Sequence, residues 1–134
     1  MTSIQESGSS SPPIRILLIE DNEANRRLMG DYLSYCGYTV FSLAEGTQLA
    51  SIMEQFQPQI ILLDLKLPTI DGYALLEQIR QREDWRSVPV IVVSAYAFQR
   101  DQQRALKLGA RRYLVKPIRL SQLTDVIREE LAPG

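Results

Sequence analysis

The polar side chains of this sequence that could do chemistry stand directly after short apolar runs. They are three carboxylates, a hydroxyl and an ammonium: Glu20, Asp21, Asp64, Ser94 and Lys116. The chain has no histidine and a single cysteine, so imidazole bases, imidazole metal ligands and an intramolecular disulfide are excluded. Clustered carboxylates repel one another unless a cation lies among them, and oxygen ligands favour a hard ion such as Mg²⁺. Mg²⁺ beside a carboxylate nucleophile, with a lysine and a hydroxyl nearby, suits phosphoryl transfer.

The apolar runs predict the elements that must position these side chains. Five runs, three of them almost continuously apolar, are IRILLI (14–19), YTVFSL (38–43), QIILLD (59–64), PVIVVS (89–94) and RYLVK (112–116). Such runs are typical of strands buried on both faces. Strand and helical spacing alternate five times, which predicts an α/β fold with a parallel sheet covered by helices on both faces. Ligands bind beyond the carboxyl ends of the strands in such a sheet, where the polar residues stand.

Apolar residues three or four positions apart mark most of the helices. The sets are Ala24, Leu28 and Tyr32; Leu49, Ile52, Met53 and Phe56; Leu75, Leu76 and Ile79; and Leu120, Leu123, Ile127 and Leu131. A weaker fourth helix is predicted over 97–108, with Gly109 at its end, and Gly37 is expected just past the first helix. Cys36 is expected to be a small buried side chain at that helix end.

The remaining sequence limits the domain organisation and the classes of partner. Residues 1–13 are Ser-rich and end in two prolines, which predicts a disordered leader before one domain over 14–134. The net charge is −1 and no basic patch has interleaved aromatics, so we do not expect a nucleic-acid partner. No apolar run approaches the ~20 residues of a membrane span and no signal pattern is present, so we expect a cytoplasmic protein without a membrane partner.

Residues 14–134 resemble the receiver domain of two-component response regulators. The resemblance rests on five motifs, which are Glu20-Asp21, Asp64 within LLDLKLPTIDG, Ser94-Ala95, Tyr113 and Lys116-Pro117. It implies a flavodoxin-like fold, with five parallel strands in the order 2-1-3-4-5 between five helices. The acidic pair here is Glu-Asp, where Asp-Asp is commoner in the family.

The resemblance also implies a role for each motif residue. Asp64 would accept a phosphoryl group, which Ser94 and Lys116 would contact. The ligands of Mg²⁺ would be Glu20, Asp21, Asp64 and the backbone carbonyl of Lys66. Phosphorylation would draw Ser94 inward and let Tyr113 follow, so these two residues would form the switch.

By the same resemblance, the chain would be a stand-alone response regulator and not an enzyme, with at most slow self-dephosphorylation. A sensor histidine kinase or a histidine phosphotransfer protein would supply the phosphoryl group. A downstream protein would bind the face of the fourth helix, fifth strand and fifth helix, and the chain would be a monomer or a phosphorylation-dependent dimer. Six basic side chains map to that face: Arg100, Arg104, Lys107, Arg111, Arg112 and Arg119. A solvated face balanced by Asp101 and Asp125 explains them equally well.

Three rival functions remain for comparison. A pseudo-receiver would act without phosphorylation as a protein-interaction module, but the acidic residues and Lys116 are intact. A phosphatase with an aspartyl nucleophile would carry a second Asp two residues after the first, where Lys66 stands. A flavin-binding module would need a phosphate loop after the first strand, where EDNEANRR would repel a phosphate.

Each motif residue also has a purely structural interpretation. Asp21 could cap the first helix and Ser94 the fourth. Asp64 could end its strand in a turn, and Lys116 could form an exposed salt bridge of little energy. Tyr113 could be half-buried packing with a hydrogen-bonded hydroxyl. Four such coincidences at one sheet edge are improbable, which favours the functional interpretation.

Overall fold

The computed structural model describes residues 12–133 and contains five strands that alternate with five helices. The strands are Arg15–Ile19 (β1), Thr39–Leu43 (β2), Ile60–Leu63 (β3), Val90–Ser94 (β4) and Arg112–Val115 (β5). The helices are Glu23–Tyr35 (α1), Leu49–Phe56 (α2), Gly72–Gln81 (α3), Gln99–Lys107 (α4) and Leu120–Leu131 (α5). The predicted alternation is confirmed. The predicted leader over 1–13 lies almost wholly outside the described residues.

All five strands are parallel and lie in the order β2-β1-β3-β4-β5, as the sequence predicts. The three central strands are apolar and buried along nearly their whole length, because helices cover both faces of the sheet. In the register of the sheet, Leu63 pairs with Ile19 on one side and with Val92 on the other. This alignment places the carboxyl ends of β1, β3 and β4 at one edge, where the chain turns toward its helices.

Two apolar layers hold the helices against the sheet. Alternate β1 residues point to opposite faces, so that Leu17 and Ile19 pack with α2, α3 and α4, whereas Ile16 and Leu18 pack with α1 and α5. Trp85, in the α3–β4 connection, is also buried in the first of these layers. None of the helices among the described residues is long and apolar enough to span a membrane.

Helix α1 differs from its sequence prediction in two details. Its buried residues are Met29 and Leu33, whereas Leu28, in the predicted apolar stripe, is 57% exposed. Cys36 is exposed and not buried, because it caps α1 beyond the last helical turn, immediately before the chain reverses at Gly37. Gly37 has a φ of 99°, a left-handed conformation that a glycine adopts without strain, as the sequence predicts for the residue past the helix.

Candidate functional site

Three carboxylates meet at the carboxyl edge of the sheet. Glu20 and Asp21 follow β1, and Asp64 follows the adjacent strand β3. Their carboxylate oxygens lie within 4.8 Å of one another. Glu20 and Asp64 are buried, whereas Asp21 is exposed at the rim. Asp21 does not cap α1, because the side chain of Asn22 accepts the capping hydrogen bond from the Asn25 N–H.

Lys116 joins the two buried carboxylates. Its Nζ donates to Glu20 Oε1 at 2.6 Å and to Asp64 Oδ2 at 2.9 Å. The side chain of Lys116 is only 20% exposed, so these contacts are not an ordinary surface salt bridge. The peptide bond from Lys116 to Pro117 is cis. The backbone N–H of Lys116 donates to the Ser94 carbonyl at 2.9 Å, which ties the end of β5 to the end of β4.

Burial and the hydrogen bonds of the cluster shift the pKa values of Glu20 and Lys116 in opposite directions. Burial raises the pKa of Glu20 above its ordinary value, and hydrogen bonds from Lys116 and the Asn22 N–H only partly offset it. The negative charge of Asp64 raises the pKa of Glu20 further. Burial acts to lower the pKa of Lys116, but the hydrogen bonds to Glu20 and Asp64 outweigh it, and the pKa of the ammonium is raised. The lysine is therefore held in its charged form, while the carboxylates lack full charge compensation.

The loop after β3 fixes the position of Asp64. Its Oδ1 accepts a hydrogen bond from the Lys66 N–H at 3.1 Å, so the acidic side chain also closes a turn, as its structural interpretation predicts. Gly72, at the start of α3, donates its N–H to the Leu65 carbonyl at 2.8 Å. A Cβ on Gly72 would lie 2.5 Å from the Asp64 carbonyl oxygen, so only glycine allows this close approach. The side chain of Lys66 is exposed in the same loop.

Ser94 and Tyr113 are linked through the loop that follows β4. Ser94 is fully buried, and its Oγ accepts a hydrogen bond from the Tyr96 N–H at 3.2 Å. The Tyr113 hydroxyl donates to the Tyr96 carbonyl at 2.7 Å, and burial raises the pKa of Tyr113. Ser94 does not cap α4, because the residue that precedes this helix is Phe98. One residue, Tyr96, therefore contacts both members of the predicted switch.

Two of the six basic residues predicted for the surface on α4, β5 and the start of α5 form ion pairs, but not with the expected carboxylates. Arg111 and Arg112 each contact Glu130 at 2.9 Å, and Arg112 also contacts Glu129 at 2.9 Å. Asp125 instead pairs with Arg128, and the Asp101 carboxylate accepts a hydrogen bond from the Tyr73 hydroxyl. Arg104 lies 3.9 Å above the centre of the Tyr73 ring.

A mainly apolar groove beside Lys116 was not predicted from the sequence. It has a volume of about 390 Å³. Its lining includes Leu28, Met29, Pro117, Ile118 and Leu120. The groove depends on the exposure of Leu28. That exposure could not be predicted, because a sequence pattern does not tell which of two adjacent apolar stripes on a helix faces the core.

Buried carboxylates joined by a lysine at the carboxyl edge of this sheet define a class of protein, the α/β domains with an acidic site at the carboxyl ends of their strands. The comparison with protein families gives the particular family. The response regulator receiver domain matches residues 16–128, and the chain belongs to this family.

Relatives of two different lengths are similar to this chain. The probable transcriptional regulator ycf27 of Porphyridium aerugineum is 37% identical over 117 residues, which are 87% of this chain and 48% of that protein. The polar-differentiation response regulator DivK of Brucella anthropi is 29% identical over 119 residues, which are 89% of this chain and 97% of DivK. The chain therefore spans about half of the first relative and nearly all of the second.

Solved structures give the same result. The receiver domain of the sensor histidine kinase PA1611 from Pseudomonas aeruginosa, with a magnesium ion coordinated in its active-site cleft, is 35% identical with a TM-score of 0.80. The two chains match over 87% of this chain and 96% of that one. A CheY-like receiver domain protein from Methanospirillum hungatei is 28% identical with a TM-score of 0.82, over 89% and 94% of the two chains.

Proposed function

We propose that Asp64 accepts a phosphoryl group from a phosphohistidine of a sensor histidine kinase or a histidine phosphotransfer protein, in a reaction that depends on Mg²⁺. The observation that carries this proposal is the setting of Asp64. Its buried carboxylate lies within 4.8 Å of two other carboxylates and is bonded to an ammonium group. A structural turn residue would not need that surrounding charge.

The donor set fits a magnesium ion. Mg²⁺ prefers hard oxygen ligands and keeps several water molecules, so it needs few protein carboxylates. The proposed ligands are Glu20, Asp21, Asp64 and the backbone carbonyl of Lys66. The convergence of the three carboxylates and the exposed position of Asp21 support a cation site that opens toward solvent. When bound, Mg²⁺ would neutralise negative charge on the phosphoryl oxygens.

The side chains around Asp64 supply the rest of the chemistry. A carboxylate oxygen of Asp64 forms the new bond to phosphorus while the bond from phosphorus to the imidazole nitrogen of the donor breaks, and the imidazole leaves. The Lys116 ammonium, which contacts Asp64 before transfer, then contacts the phosphoryl oxygens. The Ser94 hydroxyl, which lies against the Tyr96 N–H and the Tyr113 hydroxyl, provides a further donor once it turns toward the phosphoryl group.

The groove beside Lys116 is the surface where we propose that the phosphodonor docks. A donor histidine must reach Asp64 at the carboxyl edge of the sheet, and the groove borders that edge through Lys116 and Pro117. Its apolar lining, with Leu28 exposed, suits burial against another protein.

The output is proposed to pass through Ser94 and Tyr113 to a downstream protein in trans. When Ser94 turns toward the phosphoryl group, it would release the Tyr96 N–H, and the loop that also holds the Tyr113 hydroxyl would move. The face of α4, β5 and α5 would change with that loop. Replacing Ser94 with alanine should preserve labelling of Asp64 but weaken binding of the downstream partner, and unchanged binding would contradict the coupling.

We further propose that the chain works as a stand-alone regulator and not as a turnover enzyme. The match to nearly the whole of DivK supports this proposal, whereas ycf27 is about twice as long as the matched region. The chain itself would show at most slow self-dephosphorylation of the acyl phosphate.

The direct test is the intact mass after incubation with Mg²⁺ and acetyl phosphate. We expect one added phosphoryl group, which chelation of Mg²⁺ beforehand prevents. Asp64→Asn should take up none, whereas the exposed control Asp31→Asn should label like the wild type. A chain that takes up no phosphoryl group from acetyl phosphate or from a phosphorylated histidine kinase would instead act as a pseudo-receiver.

A further inference from the structure

Arg26, on the first turns of α1, reaches back to the loop that carries two of the three carboxylates. Its Nη1 donates to the backbone carbonyl of Glu20 at 2.9 Å and to the backbone carbonyl of Asp21 at 3.3 Å. These carbonyls follow the last residue of β1, where the sheet no longer supplies partners. A single charged side chain therefore binds the backbone of both residues in the acidic pair.

The two acidic residues depend on this contact to different degrees. Glu20 is also held by its N–H bond to the Leu43 carbonyl and by its carboxylate, which accepts from the Asn22 N–H and from Lys116. Asp21 is exposed, and within residues 12–133 no group donates a hydrogen bond to its carboxylate. The placement of Asp21 beside the other carboxylates therefore depends on its backbone, which Arg26 restrains through the Asp21 carbonyl.

We propose that Arg26 is a positioning residue for the metal site: it holds the backbone of Glu20 and Asp21 so that their carboxylates converge with that of Asp64. The proposal rests on the Mg²⁺ site of the proposed function. Groups that orient metal ligands without contacting the ion typically contribute about 10- to 100-fold to metal affinity. Because Arg26 acts on carbonyls and not on the ion, it is not a catalytic residue.

The charge of Arg26 provides the means to separate positioning from electrostatics. A guanidinium near the site repels a divalent cation, so removal of the charge alone would strengthen Mg²⁺ binding. Loss of the two carbonyl hydrogen bonds would loosen the acidic loop and weaken Mg²⁺ binding. The two effects have opposite signs, and the sign of the measured change therefore decides between them.

The neighbouring Arg27 is a matched control. It lies one residue further along α1 and is exposed, so the same substitution removes the same charge without the loop contact. Isothermal titration with Mg²⁺ alone should give an affinity about tenfold lower for Arg26→Gln than for the wild type. Arg27→Gln should bind Mg²⁺ as well as the wild type or slightly better, because only a solvated charge is lost.

A double-mutant cycle tests whether Arg26 acts through Asp21. In an Asp21→Asn background, Arg26→Gln should cost much less Mg²⁺ affinity than it does in the wild-type background. A general loss of stability would instead lower affinity equally in both backgrounds. Urea unfolding in EDTA, followed by the fluorescence of buried Trp85, shows whether each variant is folded.

The outcomes that would overturn the proposal are distinguishable from one another. If the wild type binds Mg²⁺ and folded Arg26→Gln binds it equally or more tightly, Arg26 has no positioning role and the proposed function stands. If the wild type itself does not bind Mg²⁺, the metal part of the proposed function fails and this proposal fails with it. If Arg26→Gln does not fold, Arg26→Lys is the test variant. Lysine keeps the positive charge, but its ammonium lies one bond nearer the backbone than the guanidinium nitrogen that contacts the carbonyls. Wild-type affinity in that variant would then refute the positioning role.

Discussion

Replacement of Lys116 by methionine is the most direct perturbation of the carboxylate cluster. The substitution keeps the apolar stem and removes the ammonium that bonds to Glu20 at 2.6 Å and to Asp64 at 2.9 Å. Both carboxylates are nearly inaccessible to water, with 2% and 6% of their side chains exposed. In the absence of Mg²⁺, the variant would therefore leave two buried negative charges without a counter-charge.

The size of the effect follows from the distance between these charges. Two unit charges within 4.8 Å repel by about 3 kcal/mol at an effective dielectric constant of ~20. Removal of one partner of a buried ion pair typically costs about 3 to 5 kcal/mol, and the partial exposure of Lys116 reduces that cost. We expect the free energy of unfolding at neutral pH to fall by about 2 to 3 kcal/mol. That loss would lower the urea midpoint by about 1 to 2 M.

The loss should depend on pH in a defined direction. Hydrogen bonding to Lys116 lowers the pKa of Glu20, so its removal raises that pKa further above the ordinary value of 4.5. An acid whose pKa is higher in the folded state binds more protons when folded, and the folded state therefore loses stability as pH rises. The difference between wild type and variant should be small near pH 4.5 and should grow toward neutral pH.

Urea unfolding in EDTA, followed by Trp85 fluorescence, measures this difference. Trp85 is the only tryptophan and is buried in the α3–β4 connection, at the opposite end of α3 from the site. Lys107→Met is the matched control, because Lys107 is exposed on α4. A Lys116→Met chain as stable as this control at neutral pH, or a difference that does not change with pH, would refute the electrostatic argument.

Three further substitutions test other contacts by urea unfolding. Gly72→Ala places a Cβ 2.5 Å from the Asp64 carbonyl oxygen and should lower the free energy of unfolding by about 1 to 3 kcal/mol. The control Gly30→Ala, whose nearest contact is at 3.6 Å, should be neutral or slightly stabilising, and equal effects of the two substitutions would refute the close-approach argument. Burial raises the pKa of Tyr73 to about 12, so the folded state loses stability relative to the unfolded state as pH rises above 10. Tyr73→Phe should therefore reduce the loss of stability at alkaline pH, and parallel plots of stability against pH for the wild type and the variant would contradict this. Glu130→Gln breaks two contacts of 2.9 Å to arginines and should cost about 1 kcal/mol, less at about 1 M salt; a loss unaffected by salt would show that the charge is not responsible.

The sequence was sufficient to predict the architecture because the sheet is parallel and doubly covered. Its central strands are continuous apolar runs, and the residues just past them must share one edge whatever the details of packing. This is why Asp64 and Glu20, 44 positions apart, could be assigned to one site before any distance was known. The predicted apolar stripe of α1 is wrong by one position along the helix. Leu28 and Met29 are both apolar, and only contact with the sheet and α5 selects Met29 for the core.

Which distant residues hydrogen-bond to each other within the site could not be predicted from the sequence pattern. Lys116 and Glu20 are 96 positions apart, and their hydrogen bond depends on two backbones meeting at the sheet edge. Arg112, at the start of β5, and Arg111, just before it, pair with carboxylates at the end of α5, although acidic residues nearer in the sequence were available. The contact of Arg26 with backbone carbonyls carries no sequence signal, because its partners are not side chains.

The position of Lys116 explains how the site can keep its buried charges paired through the proposed reaction. Before transfer, one ammonium is shared between Glu20 and Asp64. The three carboxylates carry two more charges than this ammonium balances, and a divalent cation would balance the remainder. When Asp64 becomes an acyl phosphate, its carboxylate charge disappears and new charge develops on the phosphoryl oxygens. Lys116 then exchanges one partner for the other while its bond to Glu20 holds it in place. A lysine anchored by Glu20 thus serves both states, and neither state leaves a buried ammonium unpaired.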